Sequence, residues 1–318
     1  MSALAEELEA IDLGDARLKR RAQRLLQSLG DKPMPSIPAA CGGWAETQAA
    51  YRLFDNPKVT AQAVLTPHIA RTVERIGAHP RVLCIQDTSE LDYTGRPSMQ
   101  GLGPLNLELR QGLYLHPTLA LTPDRLCLGL LDAQTWTRER GSLGQGKDLS
   151  RPLEKKESVR WVDGYRRVNE LAETLTDTRL TYVADREADI YDLFVEAPCP
   201  ETAADWLVRG QHDRVLSDGR TVREHLAAAA VLTETTFERP ASHGVKARVV
   251  HQQIKALRLT LPAPRRPDRK LPEVTITAIL ATEPHPPPGE EAVEWLLLTN
   301  LPVDTPAQAL EKLQWYLC

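Results

Sequence analysis

No stretch of this sequence is apolar for long enough to cross a membrane as a helix, which takes about 20 residues. The first fifteen residues, MSALAEELEAIDLGD, are acidic and lack the basic start and apolar middle of a signal peptide. We therefore expect no membrane partner and a cytoplasmic location.

Cysteine is scarce and follows no metal-binding pattern. The five cysteines, at positions 41, 84, 127, 199 and 318, form no CxxC pair and have no His-Cys ligand spacing. An odd, scattered set of this kind indicates reduced thiols in a reducing compartment. The sequence therefore predicts neither a zinc site nor disulfides.

The chain also lacks a large excess of either charge, since 39 basic and 43 acidic residues leave a net charge of -4. This balance argues against a protein that coats nucleic acid indiscriminately. Two local segments are nevertheless basic, residues 17–24 and residues 243–272. Each segment could form a local binding surface for a polyanion such as DNA. The alternative is that the charges only line a solvent-exposed helix face or loop.

What the sequence does contain is a repeated short apolar run that ends in aspartate. One run, VLCIQD, ends at Asp87, and the other, LTYVAD, ends at Asp185. Such runs are typical of buried strands, and ligands gather at the carboxyl edge of open α/β sheets. The two carboxylates would converge there if the strands are neighbours. The alternative is that each aspartate only ends a strand and caps the next helix or turn.

Hydrophobic periodicity predicts an α/β protein in which a mixed sheet with packed helices follows a small helical domain. Asp15 is the expected N-cap of one helix, and DREADIYDLF is expected to form another from Asp185. Four parts are predicted. They are a helical domain at residues 1–78, an α/β core at 79–212, a largely antiparallel β-rich insertion at 213–303 and the start of a final helix at 304–318.

Six motifs spread over nearly the whole chain resemble one family. In order they read LGDARLKRR, AAYRLFDNPKV, IQDTSELDY, EKKESVRW, ADREADIYD and EWLLLTNLPV. They resemble the DDE transposases of bacterial insertion sequences, in the branch named for its tyrosine-arginine-glutamate-lysine (YREK) signature. The resemblance implies an RNase-H-like core, interrupted by a β-rich insertion before the last catalytic helix and preceded by a helical DNA-binding domain.

The resemblance also implies a chemistry, namely metal-dependent DNA cleavage and strand transfer. Asp87 and Asp185 would hold Mg²⁺ or Mn²⁺, because hard divalent ions prefer carboxylate oxygens and assist in-line displacement at phosphorus. The implied partners are double-stranded DNA, as transposon inverted-repeat ends and as target, and a second copy of the chain in a synapsed homodimer. The implied location is the bacterial cytoplasm.

Further positions match family residues that contact DNA. The resemblance assigns contacts with transposon-end DNA to Arg17, Arg21 and Arg52, and it places Arg209 near the scissile phosphate. It assigns stacking on a flipped base to Trp295 and the signature tyrosine to Tyr316. Ordinary surface salt bridges are the alternative for the arginines. Burial in the insertion is the alternative for the tryptophan. His116 is expected to be only a strand residue.

The sequence departs from the signature at its end. In the family, the tyrosine is followed by two residues, an arginine, three residues, the catalytic glutamate and a later lysine, whereas only Leu317 and Cys318 follow Tyr316. Glu311 lies before the tyrosine and does not match. We therefore expect a C-terminally truncated transposase with negligible cleavage by this chain alone. A DNA-binding or dimer-forming fragment or remnant is the alternative, and an RNase-H-like nuclease for RNA is disfavoured.

Overall fold

The computed structural model describes residues 3–96, 98–141, 153–196, 203–241, 246–266 and 269–318. The chain divides into two compact units. The first consists of residues 1–78 together with 128–132, and the second of residues 79–127 and 133–318.

The first unit is a small helical domain. Its helices are α1 to α5, at Ala3–Glu6, Ala16–Asp31, Ile37–Ala40, Trp44–Phe54 and Ala61–Ile76. Asp15 is the N-cap of α2, as expected, and its carboxylate accepts a hydrogen bond from the Arg17 amide at 2.7 Å. Apolar residues at helical spacing, among them Leu25 and Leu53, form the core.

A set of charged contacts joins Glu7, which follows α1, to α5 and to residues 128–132. The Glu7 carboxylate contacts His68 at 2.7 Å and Arg75 at 2.6 Å. Arg75 also donates to the Leu128 carbonyl, and the Leu130 amide donates to Nε2 of His68. Burial raises the pKa of Glu7, but hydrogen bonds from Arg75 and His68 outweigh it and hold that pKa below its usual value.

The described strands form one eleven-stranded sheet, which belongs to the second unit except for residues 128–132. The strands are β1 to β11, at Arg81–Gln86, Ser89–Asp92, Gly103–Pro104, Gln111–Leu121, Cys127–Trp136, Arg179–Ala184, Asp205–Arg209, Thr233–Arg239, Arg248–Leu261, Val274–Thr282 and Glu294–Thr299. Along the main path the order is β2-β4-β1-β6-β7-β11-β10-β9-β8, and β3 and β5 pair with β4. The pairs β1/β6 and β6/β7 are parallel.

Helices pack against this sheet. They are α6 to α9, at Val159–Thr174, Tyr191–Phe194, Val222–Ala228 and Pro306–Tyr316. The start of α9 is fixed by a capping box between Thr305 and Gln308. Leu313 and Trp315 of α9 belong to the same buried cluster as Leu83 of β1. The final helix therefore packs on the sheet that carries the paired aspartates.

The large mixed sheet with helices confirms the α/β prediction, whereas the RNase-H-like topology and the four-part division stay predictions. Strand β8 was not predicted. The β8 to β11 strands are antiparallel, as expected, and they continue the core sheet because β11 pairs with β7. No helix among the described residues is long and apolar enough to cross a membrane.

The prediction that DREADIYDLF forms one helix is wrong. A 3₁₀ turn at Arg186–Ala188 is followed by the separate short helix α7. The physical reason is long-range bonding by Asp189, whose buried carboxylate accepts from the amides of Gln211 and His212 at 2.6 and 2.8 Å. Asp189 also pairs with Arg214 at 2.5 Å. These contacts interrupt the helix and hold the loop that follows β7.

Candidate functional site

The structure places Asp87 and Asp185 at the same edge of the sheet. Strand β1 runs parallel to β6 with Gln86 opposite Ala184, and each aspartate is the next residue. Neighbouring strands lie about 4.8 Å apart, so the two carboxylates start from adjacent backbone positions. The structure thus brings together the two residues that the sequence singled out, and their role as metal ligands stays a prediction.

Asp185 does two things at once. Its carboxylate accepts from the Glu187 amide at 2.8 Å and so caps the 3₁₀ turn. Burial raises the pKa of Asp185, and the charge of Asp87 raises it further, against the opposing effect of the Glu187 N–H. The capping interpretation therefore holds for Asp185, but it does not exclude the paired site, since the same carboxylate senses its neighbour's charge.

Glu187 is a charged neighbour that the sequence reasoning missed. Burial raises its pKa, and the charges of Asp185 and Asp87 raise it further, whereas a hydrogen bond from Trp161 lowers it. Its place two residues after Asp185 in ADREADIYD was the available signal. Among the described residues, no three His, Cys, Asp or Glu side chains form a group that could hold a metal ion. Glu187 therefore adds negative charge beside the pair without completing a three-ligand group.

The backbone under Asp87 is fixed by a buried amide. Gln86 accepts from the Tyr182 hydroxyl at 2.7 Å and donates to the Thr118 hydroxyl at 3.0 Å, which links β1 to β6 and β4. Helix α6 approaches this amide closely at Gly164, where an added Cβ would lie 2.1 Å from Oε1 of Gln86. An alanine at this position would have to displace the Gln86 amide, so the edge that carries Asp87 rests on a closely packed polar layer.

His116 lies on β4 and is buried, in agreement with its assignment as a strand residue. Its Nδ1 lies 2.8 Å from the Thr88 hydroxyl, and its ring meets the Trp161 ring edge-on at 4.6 Å. Thr88 directly follows Asp87. His116 therefore supports the loop after β1.

Arg209 and Tyr316 lie at this same edge. Arg209 ends β7, the strand beside β6, and its positive charge lowers the pKa of Asp185. The Arg209 guanidinium lies over the Tyr316 ring at 5.9 Å from the centroid. The structure therefore brings Arg209, Tyr316 and Asp185 into one neighbourhood.

Trp295 lies at the outer end of β11, two residues before Leu297, which is opposite Arg209. Its side chain is half-buried, and its ring stacks on that of Phe237 at 5.2 Å and 24°. The alternative of a strand tryptophan packed in the insertion therefore holds in part, since Trp295 packs against the buried cluster and part of its side chain reaches solvent. The stacking on a flipped base stays a prediction.

The last two polar residues of ADREADIYD fix a distant loop. The Tyr191 hydroxyl lies 2.8 Å from the Pro272 carbonyl, and the buried Asp192 carboxylate pairs with Arg266 and Arg269. A second pairing occurs at Arg248, which contacts Glu283 and Glu290. Among the described residues, three of the eight basic residues of 243–272 are therefore ion-paired, and the other five retain the character of a binding surface for a polyanion.

The predicted DNA-binding arginines of the first unit lie around one cleft. Arg17 and Arg21 of α2 line a cleft of about 370 Å³ whose other wall is α4. Arg52 is exposed on α4, three residues beyond the cleft-lining Ala49. The Arg17 guanidinium pairs with Asp15 at 3.1 Å, so the salt-bridge alternative holds for it in part. Arg21 has no ion-pair partner in the described part of the chain.

A comparison with known proteins finds a family match in the helical unit. Residues 1–59 match the family model described as transposase DNA-binding. This match supports the prediction of a transposase DNA-binding domain at the start of the chain.

A solved structure titled "Cryo-EM structure of piggyBac transposase synaptic complex with hairpin DNA (SNHP)" is also similar, at 10% sequence identity and a TM-score of 0.39. The similarity covers 84% of this chain and 44% of that chain, so this chain spans less than half the length of that protein. The family model, which covers residues 1–59, is therefore the comparison on which the interpretation of this chain rests: its first part is similar to a transposase DNA-binding domain.

Proposed function

We propose that this chain is a transposase of the DDE class, related to the YREK branch of bacterial insertion sequences. Enzymes of that class cleave transposon-end DNA and transfer its strand, and Asp87 and Asp185 would be two of the three metal-binding carboxylates that this chemistry needs. The observation that carries the proposal is the adjacency of Asp87 and Asp185 on parallel strands, in a chain whose first residues match a transposase DNA-binding model. The proposed catalytic edge thus follows a domain suited to holding the substrate.

The donor chemistry at this edge fits a hard divalent cation. Two carboxylates lie side by side, and their mutual repulsion helps to raise the pKa of Asp185, so a cation would relieve a charge conflict that the protein maintains. Asp87 and Asp185 would hold Mg²⁺ or Mn²⁺, which would supply Lewis-acid stabilisation of the charge that develops at phosphorus.

The remaining roles belong to the protein's own groups. The Glu187 N–H holds the Asp185 carboxylate in place, and Arg209 supplies positive charge for a phosphate at the same edge. Trp295 presents a partly exposed indole on which an unpaired base would stack. No protein nucleophile is needed, because water attacks in the first cleavage and the freed 3′-hydroxyl attacks in the transfer.

DNA binding tests the first half of the proposal. We expect the purified chain to shift a labelled inverted-repeat duplex, and to bind it better than an RNA·DNA hybrid of the same sequence. Preference for the hybrid would contradict a transposase and would favour an RNase-H-like nuclease. Sedimentation of the DNA complex would show whether two chains bind together.

A cleavage assay separates the enzyme from the alternative, a catalytically inactive DNA-binding or dimerising fragment. Asp87 and Asp185 supply two carboxylates, and the described residues contain no three-ligand metal group, so we expect the chain alone to show negligible Mg²⁺-dependent nicking of the inverted-repeat duplex. Nicking that is abolished by Asp87→Ala would contradict that expectation and would establish the two carboxylates as sufficient. The nucleotide sequence after codon 318 would show whether an arginine and a glutamate follow.

A further inference from the structure

The cleft in the first unit has an unusual composition. One wall is a stripe of four arginines on α2, and the other wall is formed largely by small residues of α4. The arginine wall consists of Arg17, Arg20, Arg21 and Arg24, and the opposite wall includes Ala45, Ala49 and Ala50. Because alanine side chains are short, space remains between the two helices, and the floor at Leu25 and Cys41 is apolar.

Two of these arginines, Arg20 and Arg24, match no position that the family resemblance assigned. Both are exposed, and neither has an ion-pair partner among the described residues. They lie four residues apart on one helix, where like charges destabilise by about 0.2–0.5 kcal/mol per pair. The native arrangement therefore concentrates uncompensated positive charge at this cleft.

The polar groups of the cleft define what it can bind. Ser28 donates its hydroxyl to the Arg24 carbonyl at 3.1 Å, so the guanidinium groups are the principal donors that face the space. The Glu46 carboxylate is held at the rim by the Gly42 amide at 2.9 Å and is an unfavourable neighbour for an anion. Guanidinium forks match phosphate oxygens, whereas an apolar floor of Leu, Ala and Cys offers no partner to a base edge.

From this geometry we infer that the cleft takes the phosphodiester backbone of a DNA strand, with Arg20 and Arg24 as its phosphate-contacting residues. The inference rests on the proposed function, because it assumes that the helical unit binds DNA. It adds that this contact holds DNA without reading its sequence, since phosphate contacts position a protein and base contacts specify its site.

The test is quantitative DNA binding over a range of salt. Two duplexes of one length are used, one enriched from a random pool by the wild-type chain and one scrambled. We expect R20A/R24A to bind both duplexes more weakly by the same factor, on the order of tenfold, and to lower the salt slope by about 0.9 for each lost phosphate contact. R71A, which removes a half-buried arginine of α5 that pairs with Glu74 and lies outside the cleft, should leave affinity and slope unchanged.

A charge-reversed test uses Glu46. E46Q keeps an oxygen that can accept from the Gly42 amide but removes the negative charge at the rim, so we expect severalfold tighter binding of both duplexes. Circular dichroism melts would verify that each variant is folded.

Three outcomes would overturn the inference. They are unchanged binding by R20A/R24A, a loss confined to the enriched duplex, and an effect of R71A equal to that of R20A or R24A. A wild-type chain that binds neither duplex would instead contradict the proposed function, and with it the cleft.

Discussion

The close approach of α6 to β1 at Gly164 makes a strong prediction for Gly164→Ala. In an open helix, alanine is more stable than glycine by about 1 kcal/mol. Here the new Cβ would lie 2.1 Å from Oε1 and 2.4 Å from Nε2 of Gln86, so the amide must move. Overpacking of this kind costs about 1–3 kcal/mol.

Movement of Gln86 also breaks buried hydrogen bonds. The Tyr182 hydroxyl retains a possible acceptor, the Trp161 carbonyl at 3.1 Å, but the Thr118 hydroxyl loses the amide that donates to it. A buried polar group without its partner costs about 1–3 kcal/mol. After subtraction of the helix-propensity gain, we expect Gly164→Ala to lower the free energy of unfolding by about 3 kcal/mol.

Urea unfolding of a double-mutant cycle measures this directly. In a Gln86→Ala background the obstacle is gone, so Gly164→Ala should be neutral or stabilising by about 1 kcal/mol. Gly30→Ala in α2 is the control, because its new Cβ would meet only the flexible end of Leu4. A stabilising effect of Gly164→Ala in the wild-type background, or equal effects in both backgrounds, would refute the packing argument.

Three further predictions follow from charged and thiol groups. Asp192→Ala should destabilise the protein by about 3 kcal/mol in urea unfolding, because a buried carboxylate shared by Arg266 and Arg269 is lost, and an unchanged midpoint would contradict this. The pKa of Glu7 is depressed in the folded protein, so its carboxylate stabilises the fold above the ordinary pKa of 4.5, and this stabilisation is lost as pH falls. Glu7→Gln should therefore flatten the acid side of a plot of unfolding free energy against pH, and parallel plots for the two proteins would contradict this. Burial raises the pKa of Cys84 to about 12, so a thiol reagent should modify the exposed Cys127 before Cys84. Peptide mass spectrometry would show the order, and equal rates of modification would contradict the burial of Cys84.

Local patterns predicted those elements whose sequence and packing agree. Asp15 is the N-cap of α2, as its position before an apolar periodic run predicts, and the two apolar runs before Asp87 and Asp185 form strands β1 and β6. Strand β8 was missed because its sequence, TETTFER, is mostly polar and has one aromatic residue, Phe237. Among the described strands it pairs with β9 alone, at the edge of the sheet, and its polar sequence lacks the apolar run that predicts a buried strand.

Long-range contacts account for the rest. The DREADIYDLF helix failed because Asp189 bonds to Gln211 and His212, which are distant in the sequence. The aspartate pair could be suspected from two strand ends, but its convergence depends on β1 lying beside β6, a pairing across about a hundred residues that no local pattern fixes. The charges that act on Glu187, the close approach at Gly164 and the cleft between α2 and α4 likewise depend on neighbours in the folded chain.

Binding of Mn²⁺ to the metal-free chain tests the central claim most directly, namely that Asp87 and Asp185 together form a divalent-cation site. Isothermal titration of the wild type, Asp87→Asn and Asp185→Asn should show Mn²⁺ binding that each substitution weakens by at least about tenfold, because each removes one charged oxygen ligand. The exposed-site control Asp163→Asn should bind as the wild type does. Equal Mn²⁺ affinity in the wild type and both site variants would contradict the account.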